Sequence, residues 1–503
     1  MALATTPEQT ALPPAIETEK VTRHVVGVLA VLVLSALVMM LNETALSVAL
    51  PQLMADFRVP ATSVQWLTTG FLLTMAVVIP TTGYLIQRFT TRALFVTALS
   101  LFIAGTVLAV VAPVFEVVLA ARVVQAAGTA VILPLLMTTT LTSVPVAYRG
   151  TVMGLNSVVI SVAPALGPTL AGAIVDALSW RWLFGLMLPV AVIAFVAGIV
   201  LIRTTNETAR APFSVSSVIL SAFAFGGLVY GLASLSAIFD GAWAPVVALV
   251  VGAAALTLFV AQQIRLQKKG SALLNLQPFA VRNFRISVII VAVAMATMLG
   301  TVMVLPIYLQ NGLGVSILTT GLVLLPGGAI QGVLSPFIGR LYDAVGPAPI
   351  VVPGAILLAG GQWWLSMLGA GTSLGTVIAM HVTFCIGMAM IMTPLMTASL
   401  GSLPRALYGH GSAIVNTLQQ LAGAAGTAIL IAAMSIGASK AAADGASAAA
   451  AQVTGTQNAF VLGGCVALIA VVSAPFVRRP RPEVPELPAV EEKSAAERAS
   501  LAG

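Results

Sequence analysis

The sequence contains very little charge. Only 8% of its 503 residues are Asp, Glu, Lys or Arg, whereas 59% are hydrophobic. About a quarter of the residues of a soluble globular protein are charged, so this composition excludes that class. There are also only two cysteines, Cys385 and Cys465, and both lie inside apolar segments. We interpret them as small core residues rather than as a disulfide or as metal ligands.

The sequence also lacks the phosphate-binding loop of ATP-driven proteins, because it contains no Gly-Lys dipeptide. It does contain many apolar segments of roughly 20 residues, the length at which a helix crosses a ~30 Å hydrocarbon core. Such segments exclude a β-barrel, whose strands are about ten residues long and alternate in polarity. The sequence therefore predicts an all-α membrane protein with fourteen transmembrane helices, near residues 25–50, 63–86, 91–112, 117–138, 150–175, 180–202, 214–236, 243–263, 285–309, 318–338, 348–369, 373–397, 410–434 and 457–477.

The basic residues are distributed unevenly between the two sides of these segments. With the N-terminus inside, all but four of the 23 Lys and Arg residues lie on the cytoplasmic side; the exceptions are Arg58, Arg122, Arg181 and Lys440. This is the positive-inside pattern, so the net charge of +7 reflects topology and not nucleic-acid binding. We predict a multi-pass protein of the plasma (inner) membrane with both termini in the cytoplasm. All six tryptophans would then form a belt near the outer interface, namely Trp66, Trp180, Trp182, Trp243, Trp363 and Trp364.

Two segments of the chain resemble each other: GYLIQRFTTR begins at Gly83, and GRLYDAVGP begins at Gly339. Eight predicted helices separate them, which fits two six-helix repeats with two helices inserted between them; such repeats build transporters with a site at the midplane. The Ala- and Ser-rich outer loop 435–456 predicts a weak surface helix or none. The predicted organisation is a cytoplasmic tail without a cleavable signal peptide (1–23), an N-terminal six-helix bundle (24–202), two inserted helices with flanking loops (203–284), a C-terminal six-helix bundle (285–477) and a disordered cytoplasmic tail (478–503).

One carboxylate lies inside the first predicted helix. Glu43 is the only charge between His24 and Asp56, and a charge at mid-helix costs about 2.5–3.5 kcal/mol on insertion scales. Because ionisable groups inside a membrane usually handle ions or substrates, Glu43 is the candidate proton carrier. A satisfied structural carboxylate is the alternative.

Two further ionisable residues lie at a comparable depth. At 1.5 Å per residue, Glu43 and Arg122 are both roughly 8–11 Å below the outer surface, so an ion pair or proton relay is possible. A structural arginine that reaches toward the interface is the alternative. His381, in the twelfth predicted helix, titrates near neutral pH and could also carry protons. A hydrogen-bonded polar core histidine is the alternative there.

Four segments together resemble the major facilitator superfamily, and specifically its fourteen-helix drug/proton antiporter family. They are LNETALSVALP (41–51), GYLIQRFTTR (83–92), RVVQAAGTA (122–130) and GLNSVVISVAPALGPTLAGAI (154–174). The resemblance covers residues 24–478 and implies the major facilitator fold, with two six-helix bundles and two inserted helices. The first two segments are also similar to the lincomycin-resistance subgroup.

The resemblance implies a proton-coupled multidrug exporter that works by alternating access, not an enzyme. Its partners would be small-molecule drugs, protons and the lipid bilayer. The proton gradient would supply the energy without a cofactor, and the protein would be a monomer. A dedicated exporter or uptake carrier of one metabolite, such as an amino acid, a lipid or a siderophore, stays open as the alternative. In the family that the chain resembles, the fifth-helix motif accompanies export; its prolines kink the helix and its glycines allow close approach, here at Pro164, Gly167, Pro168 and Gly172. The general frequency of Gly and Pro in membrane helices is the alternative explanation.

Two positions depart from the family pattern. Asn42 replaces the usual acid, which here stands one position later at Glu43, and Gln87 replaces an aspartate that would hold one conformation closed. The second copy of the loop motif retains its acid, Asp343. The remaining residues that the resemblance or their polarity indicates fall into two groups: conformational motifs at Gly83, Gln87, Arg88, Arg92, Gly339 and Asp343, and substrate-cavity residues at Asn42, Gln125, Asn416, Gln419 and Gln420.

Overall fold

The computed structural model describes residues 21–203, 214–235, 238 and 241–480. Within helices, the side chains at 47, 48, 61, 62, 160–162, 164, 165, 168 and 169 lie outside the described part. Most of the two predicted tails (1–23 and 478–503) also lies outside it, at 1–20 and 481–503. All regular secondary structure of the described residues is helical. The predicted all-α class is therefore confirmed.

The described residues form fourteen long helices. Thirteen are long and apolar enough to cross a membrane by length and composition, and α5, whose interior is only partly described, adds the fourteenth. In chain order they are α1 (Arg23–Phe57), α2 (Trp66–Arg88), α3 (Thr91–Val110), α4 (Phe115–Ser143), α5 (Arg149–Ala177), α6 (Arg181–Leu201), α7 (Val215–Ala233), α8 (Ala244–Gln267), α9 (Arg282–Ile307), α10 (Ile317–Val345), α11 (Ala348–Leu365), α12 (Leu374–Gly401), α13 (Tyr408–Ala443) and α14 (Ala448–Ser473).

Local sequence determines where several helices begin. A hydroxyl side chain precedes the first turn and accepts a hydrogen bond from a backbone N–H that has no partner within the helix. Thr90 does this for Ala93 at the start of α3, and Ser373 does it for Thr376 at the start of α12. Because short connections join one helix to the next, successive helices run antiparallel. We call the end of the bundle where α1 begins the N-terminal face and the other end the opposite face.

The tryptophans mark the opposite face, with one correction to the predicted belt. Five of the six are between 37% and 75% exposed and lie at the helix ends of that face. Trp180 is fully buried instead, because its indole N–H donates to Asp56 at 2.8 Å and its ring packs against Phe57 and Phe184. An indole with a hydrogen-bond acceptor in reach can enter the protein interior, and Trp180 does so.

The loop predicted at 435–456 is also different in the structure. Helix α13 continues to Ala443 and α14 begins at Ala448, so most of this segment is regular helix. Alanine has the highest helix propensity of all residues, and the hydroxyl of Ser447 accepts from Ala450 to begin α14. The prediction of a weak surface helix or none therefore underestimated the helix propensity of this alanine-rich segment.

The helices pack in two sets that meet along two seams. In the first set α1 packs on α5 and α6, and α3 packs on α4; in the second set α9 packs on α13, and α11 packs on α12 and α14. The seams are α5 against α10 and α2 against α13. The predicted boundaries of two bundles and an insert stay a prediction, although α7 and α8 pack on each other between the two sets.

Candidate functional site

A cavity of about 820 Å³ lies between the two sets of helices. Its deepest lining residues are Pro134 on α4 and Asn416 on α13, and it extends to Thr68 and Ser439 near the ends of α2 and α13 at the opposite face. The volume falls within the range of about 300–1,000 Å³ that is usual for small-molecule sites. The cavity therefore has room for a drug-sized molecule that enters or leaves at the opposite face.

Glu43 lines this cavity, and its Oε2 atom is buried without a hydrogen-bond partner among the described residues. A buried charged oxygen without a partner costs several kcal/mol unless a ligand, a proton or an opposite charge compensates it. Arg122 lines the same cavity, and the two charges attract each other. No ion pair within 4.0 Å joins them in the described part of the chain, where the one such pair is Arg181–Asp56.

Neutral groups hold the guanidinium of Arg122. Its Nη1 donates to Asn42 Oδ1 at 2.5 Å and to Gln125 Oε1 at 3.1 Å, and the guanidinium lies 4.0 Å from the centre of the Phe71 ring. Arg122 is 1% exposed. A planar guanidinium with several donors suits such a multidentate site, which a lysine cannot reproduce. The arginine is therefore fixed in position while its charge remains available to Glu43.

Asn42 and Gln125 lie behind Arg122 and are not among the described residues that line the cavity. Asn42 is 2% exposed, and Gln125 is fully buried and donates to Thr106 Oγ1 at 3.0 Å. The structure thus differs from the predicted lining at these two positions. Of the neighbouring residues Asn42 and Glu43, only Glu43 is among the described residues that line the cavity. A one-residue step rotates a side chain by about 100° on a helix, and it is Glu43 that faces inward.

The three polar residues predicted on the thirteenth helix all line the cavity. Asn416, Gln419 and Gln420 project from α13 on the side opposite Glu43. Asn416 donates to the carbonyl of Ser412 at 2.9 Å, one turn nearer the N-terminal face. The cavity therefore combines one carboxylate with three neutral amides.

His381 lies away from this group. It is 6% exposed on α12 and is not among the described cavity-lining residues. Its Nε2 is 3.6 Å from Cys385 Sγ, its Nδ1 has no hydrogen-bond partner among the described residues, and the ring packs against Gly327 of α10. The structure does not bring His381 together with Glu43 and Arg122.

The N-terminal face is closed by contacts along both seams. At the α5–α10 seam, Asp343 accepts hydrogen bonds from the backbone N–H groups of Gly150 and Thr151 at 2.7 and 2.8 Å, and from the Thr151 hydroxyl at 2.7 Å. A carboxylate at a helix N-terminus is stabilised by the helix dipole. Gly339 of α10 contacts the backbone of Gly150, where a side chain would collide. Asp343 is therefore a charged contact between the two sets.

The α2–α13 seam has a neutral contact in the corresponding place. Gln87 Nε2 donates to the carbonyl of Ala406 at 3.1 Å. Gly83 packs against His410, because a Cβ on this glycine would lie 2.6 Å from His410 Nδ1. The other two residues of the loop motif mark helix ends: Arg88 lies in the last turn of α2, and Arg92 is exposed in the first turn of α3.

The fifth-helix motif brings α5 close to α1 at one of its glycines. A Cβ on Gly167 would collide with the Thr44 side chain, whose hydroxyl donates to the carbonyl of Ala163 at 3.2 Å. Gly172 has open space around it, so close approach explains Gly167 but not Gly172. Positions 164 and 168 lie within α5, but the side chains of the two prolines fall outside the described part.

The sequence-based reasoning missed the apolar part of the cavity. Three methionines line it from α9, namely Met295, Met298 and Met303. Leu232 of α7 also lines it, as does Leu235, which follows the end of α7. The α9 methionines recur at helical spacing on one face, which was a detectable signal. Nothing in the pattern of α7 distinguishes a cavity-lining helix from any other membrane span.

Comparisons with known proteins agree with this architecture. A sequence model described as the Major Facilitator Superfamily matches residues 32–427. The lincomycin resistance protein LmrB of Listeria monocytogenes is 40% identical over 460 residues, which cover 90% of this chain and 97% of LmrB. The MFS-type transporter YcnB of Bacillus subtilis is 38% identical over 475 residues, covering 94% of this chain and 99% of YcnB.

Two solved structures share the fold at low sequence identity. The human organic anion transporter MFSD10 aligns with a TM-score of 0.63 at 14% identity, over 90% of this chain and 99% of MFSD10. The proton:xylose symporter XylE aligns with a TM-score of 0.60 at 15% identity, over 91% of this chain and 97% of XylE. The chain is therefore a multi-pass membrane transporter of small molecules and not an enzyme, and it belongs to the Major Facilitator Superfamily.

Proposed function

We propose that this protein is a proton-coupled exporter of drugs, in which Glu43 carries the proton. The observation behind the proposal is that the carboxylate of Glu43 lines the cavity with one oxygen unpartnered among the described residues, near the fixed charge of Arg122. Such a carboxylate can bind either a proton or the polar end of a substrate, but not both at once. Competition for one group is the simplest physical basis of antiport.

The charge balance of the site explains the direction of this competition. With Glu43 ionised, its negative charge offsets that of Arg122, and a neutral or monocationic molecule can be accommodated. With Glu43 protonated, the positive charge of Arg122 is uncompensated, which disfavours a cation nearby. Proton entry from one side of the membrane would then release the substrate to that side.

Alternating access requires that the cavity open to one face at a time. The cavity extends to the opposite face, while Asp343 and Gln87 hold the N-terminal face closed. With the topology predicted from the basic residues, the N-terminal face is cytoplasmic and the described conformation faces outward. Protons from outside would reach Glu43 in this state, and drug would enter from the cytoplasm in the other.

The substrate class follows from the lining and from the relatives. Apolar side chains, with five leucines and five methionines among them, form most of the cavity wall, and flexible methionines allow one site to accept several shapes. LmrB, at 40% identity, is named for lincomycin resistance. We include lincosamides and lipophilic monocations among the substrates of this monomeric, plasma-membrane exporter.

The test is ethidium efflux from preloaded energised cells, comparing the wild type with Glu43→Gln. Glutamine keeps the size of the side chain but cannot bind and release a proton at physiological pH. We expect efflux by the wild type to collapse when a protonophore is added, and efflux by Glu43→Gln to fall at least tenfold. Glu116→Gln, which changes an exposed carboxylate in the first turn of α4, is the matched control and should transport normally.

Two outcomes would contradict the proposal. Protonophore-sensitive efflux that survives in Glu43→Gln would move the proton site elsewhere, first to His381. A wild type that exports neither ethidium nor lincomycin at normal expression would favour a dedicated carrier of one metabolite.

A further inference from the structure

The inserted helix α7 contributes to the wall of the cavity. Val229, Leu232, Ala233 and Leu235, from α7 and the residues that follow it, all line the space that also holds Glu43. No described residue of α8, the other inserted helix, lines it. The insert is therefore asymmetric, with one helix at the cavity and one behind it.

Helix α7 lies against the α2–α13 seam, because it packs on both of these helices. Its contact with α2 is specific: the rings of Tyr230 and Trp66 are stacked, with centres 5.8 Å apart and an angle of 16° between their planes. A Cβ on Gly226, in the π-helical turn of α7, would lie 3.8 Å from the Leu73 side chain. These contacts hold α7 at the edge where the two sets of helices meet.

Helix α8 supports α7 from behind. Gly227 of α7 and Gly252 of α8 approach so closely that a Cβ on either would lie about 3.0 Å or less from the other backbone. Small residues at such a contact let two membrane helices pack tightly. The outer surface of α8 is exposed, as at Val250 (64%) and Leu258 (59%), which suits contact with lipid. Leu232 thus lines the cavity from a tightly packed pair of helices.

The polarity of the cavity indicates which part of a substrate α7 would contact. Glu43 and Arg122 line the cavity from α1 and α4 and the amides line it from α13, whereas the side chains that α7 contributes are all apolar, as are Met298 and Val302 on α9. An amphipathic molecule gains most when its polar or cationic end lies near the carboxylate and its apolar portion lies between α7 and α9.

We propose that α7 is a substrate-contacting wall of this transporter and that Leu232 selects among substrates by the size of their apolar portion. The transport test of this inference, described next, rests on the proposed drug-export function. The thiol-accessibility test that follows it does not. The inserted pair is then part of the recognition site and not only a connection between the two six-helix sets.

Drug profiles test selection by size. We compare efflux of ethidium, a bulky planar cation, with efflux of lincomycin, using Leu232→Trp and Leu232→Ala at matched expression. Tryptophan should reduce ethidium efflux at least fivefold and change the ethidium-to-lincomycin ratio at least threefold, and alanine should move that ratio in the other direction. Leu258→Trp, on the exposed side of α8, is the matched control and should leave the ratio unchanged. Ratios within twofold of the wild type in both Leu232 variants would overturn the proposal.

Thiol accessibility tests the position of the wall independently of transport. In a Cys465→Ser background, where Cys385 is buried, Leu232→Cys should react with a membrane-impermeant methanethiosulfonate at least tenfold faster than Leu258→Cys. Ethidium should slow the reaction at least threefold. Equal slow reaction of both cysteines would overturn the proposal even if drug export is established. Fast reaction without drug export by the wild type would instead leave the wall in place and contradict the proposed function.

Discussion

At the residue scale, the centre of the site is an arginine held by neutral partners, together with a carboxylate that has one oxygen unpartnered among the described residues. Asn42 and Gln125 bind Arg122 directly, so they replace the acid that would otherwise neutralise it. The charge of Arg122 is therefore compensated across the cavity wall by Glu43 and not by its hydrogen-bond partners. A site built in this way responds electrostatically to each proton or cation that enters.

This arrangement predicts that Arg122→Lys and Arg122→Gln behave differently. Lysine keeps the charge but cannot bind Asn42 and Gln125 together while stacking on Phe71, so it should lower the free energy of unfolding by about 1.5–3 kcal/mol. Because the charge is kept, this variant should retain partial, protonophore-sensitive efflux. Glutamine removes the charge and should abolish coupled efflux. Thermal denaturation in detergent and ethidium efflux measure the two effects.

Arg181→Lys is the control for these variants, because the Arg181 side chain is 41% exposed at the opposite face and its ion pair with Asp56 spans 4.0 Å. An exposed pair contributes about 0–1 kcal/mol, so this change should be nearly neutral. Equal behaviour of Arg122→Gln and the wild type in efflux would contradict a coupling role for the arginine.

At the element scale, the two seams are closed by contacts of unequal strength. Asp343 presents a carboxylate to two backbone N–H groups and a hydroxyl at the start of α5, whereas Gln87 makes a single neutral hydrogen bond to Ala406. Charge-assisted hydrogen bonds are roughly twice as strong as neutral ones. The α5–α10 seam should therefore contribute more to closure of the N-terminal face.

We expect Asp343→Asn to open the N-terminal face more than Gln87→Ala does. Losing a charge at a helix N-terminus costs about 1–2 kcal/mol in a partly buried site, which changes a two-state population by about 5–30-fold. The readout is reaction of Ser412→Cys, a buried residue between the cavity and the closed N-terminal face, with a thiol reagent applied to that face. Asp444→Asn, at the opposite face, is the control. A larger effect of Gln87→Ala would reverse the assignment.

Helix α5 offers a matched pair of glycines for a second test. Gly167→Ala would push α5 away from Thr44, next to Glu43, and overpacking of this kind costs about 1–3 kcal/mol. Gly172→Ala enters open space within the same motif and should be neutral. We expect ethidium efflux to fall at least fivefold in the first variant and to stay within twofold of the wild type in the second. Equal efflux by both variants would show that the α1–α5 contact does not matter for transport.

At the scale of the whole molecule, transport should require the two sets of helices to separate at the N-terminal face. The described conformation holds them together there while the cavity extends to the other side. A covalent link across the closed face should therefore prevent the return to the state that loads drug. This expectation does not depend on which residue carries the proton.

A cross-link between Gln87→Cys and Ala406→Cys tests this requirement. A short flexible bifunctional thiol reagent should abolish ethidium efflux in the Cys465→Ser background, and a reducible version should allow recovery after reduction. Each single cysteine variant treated in the same way is the control and should keep transporting. Full efflux by the cross-linked double variant would contradict alternating access through the α2–α13 seam.

Composition and hydropathy were sufficient to predict the class and much of the outline of this protein. Low charge and repeated apolar segments of about 20 residues leave only a helical membrane protein, because every backbone polar group in the hydrocarbon core must be satisfied within the helix. Glu43 was identifiable for a related reason, since an isolated charge in such a segment is costly. The family followed from four short segments in the correct order.

The tertiary structure decided what the linear pattern leaves open. Helical periodicity shows that Asn42 and Glu43 point in different directions. The packing of distant helices shows which is which, because Asn42 binds Arg122 and Glu43 lines the cavity. His381 has the right depth and chemistry, yet its helix presents it to Gly327. Apolar spans look alike in sequence, so the contribution of α7 to the cavity depends on packing between helices far apart in the chain. The physical reason is common to all three cases: hydropathy fixes how deep a side chain lies, and helix packing fixes which neighbour it meets.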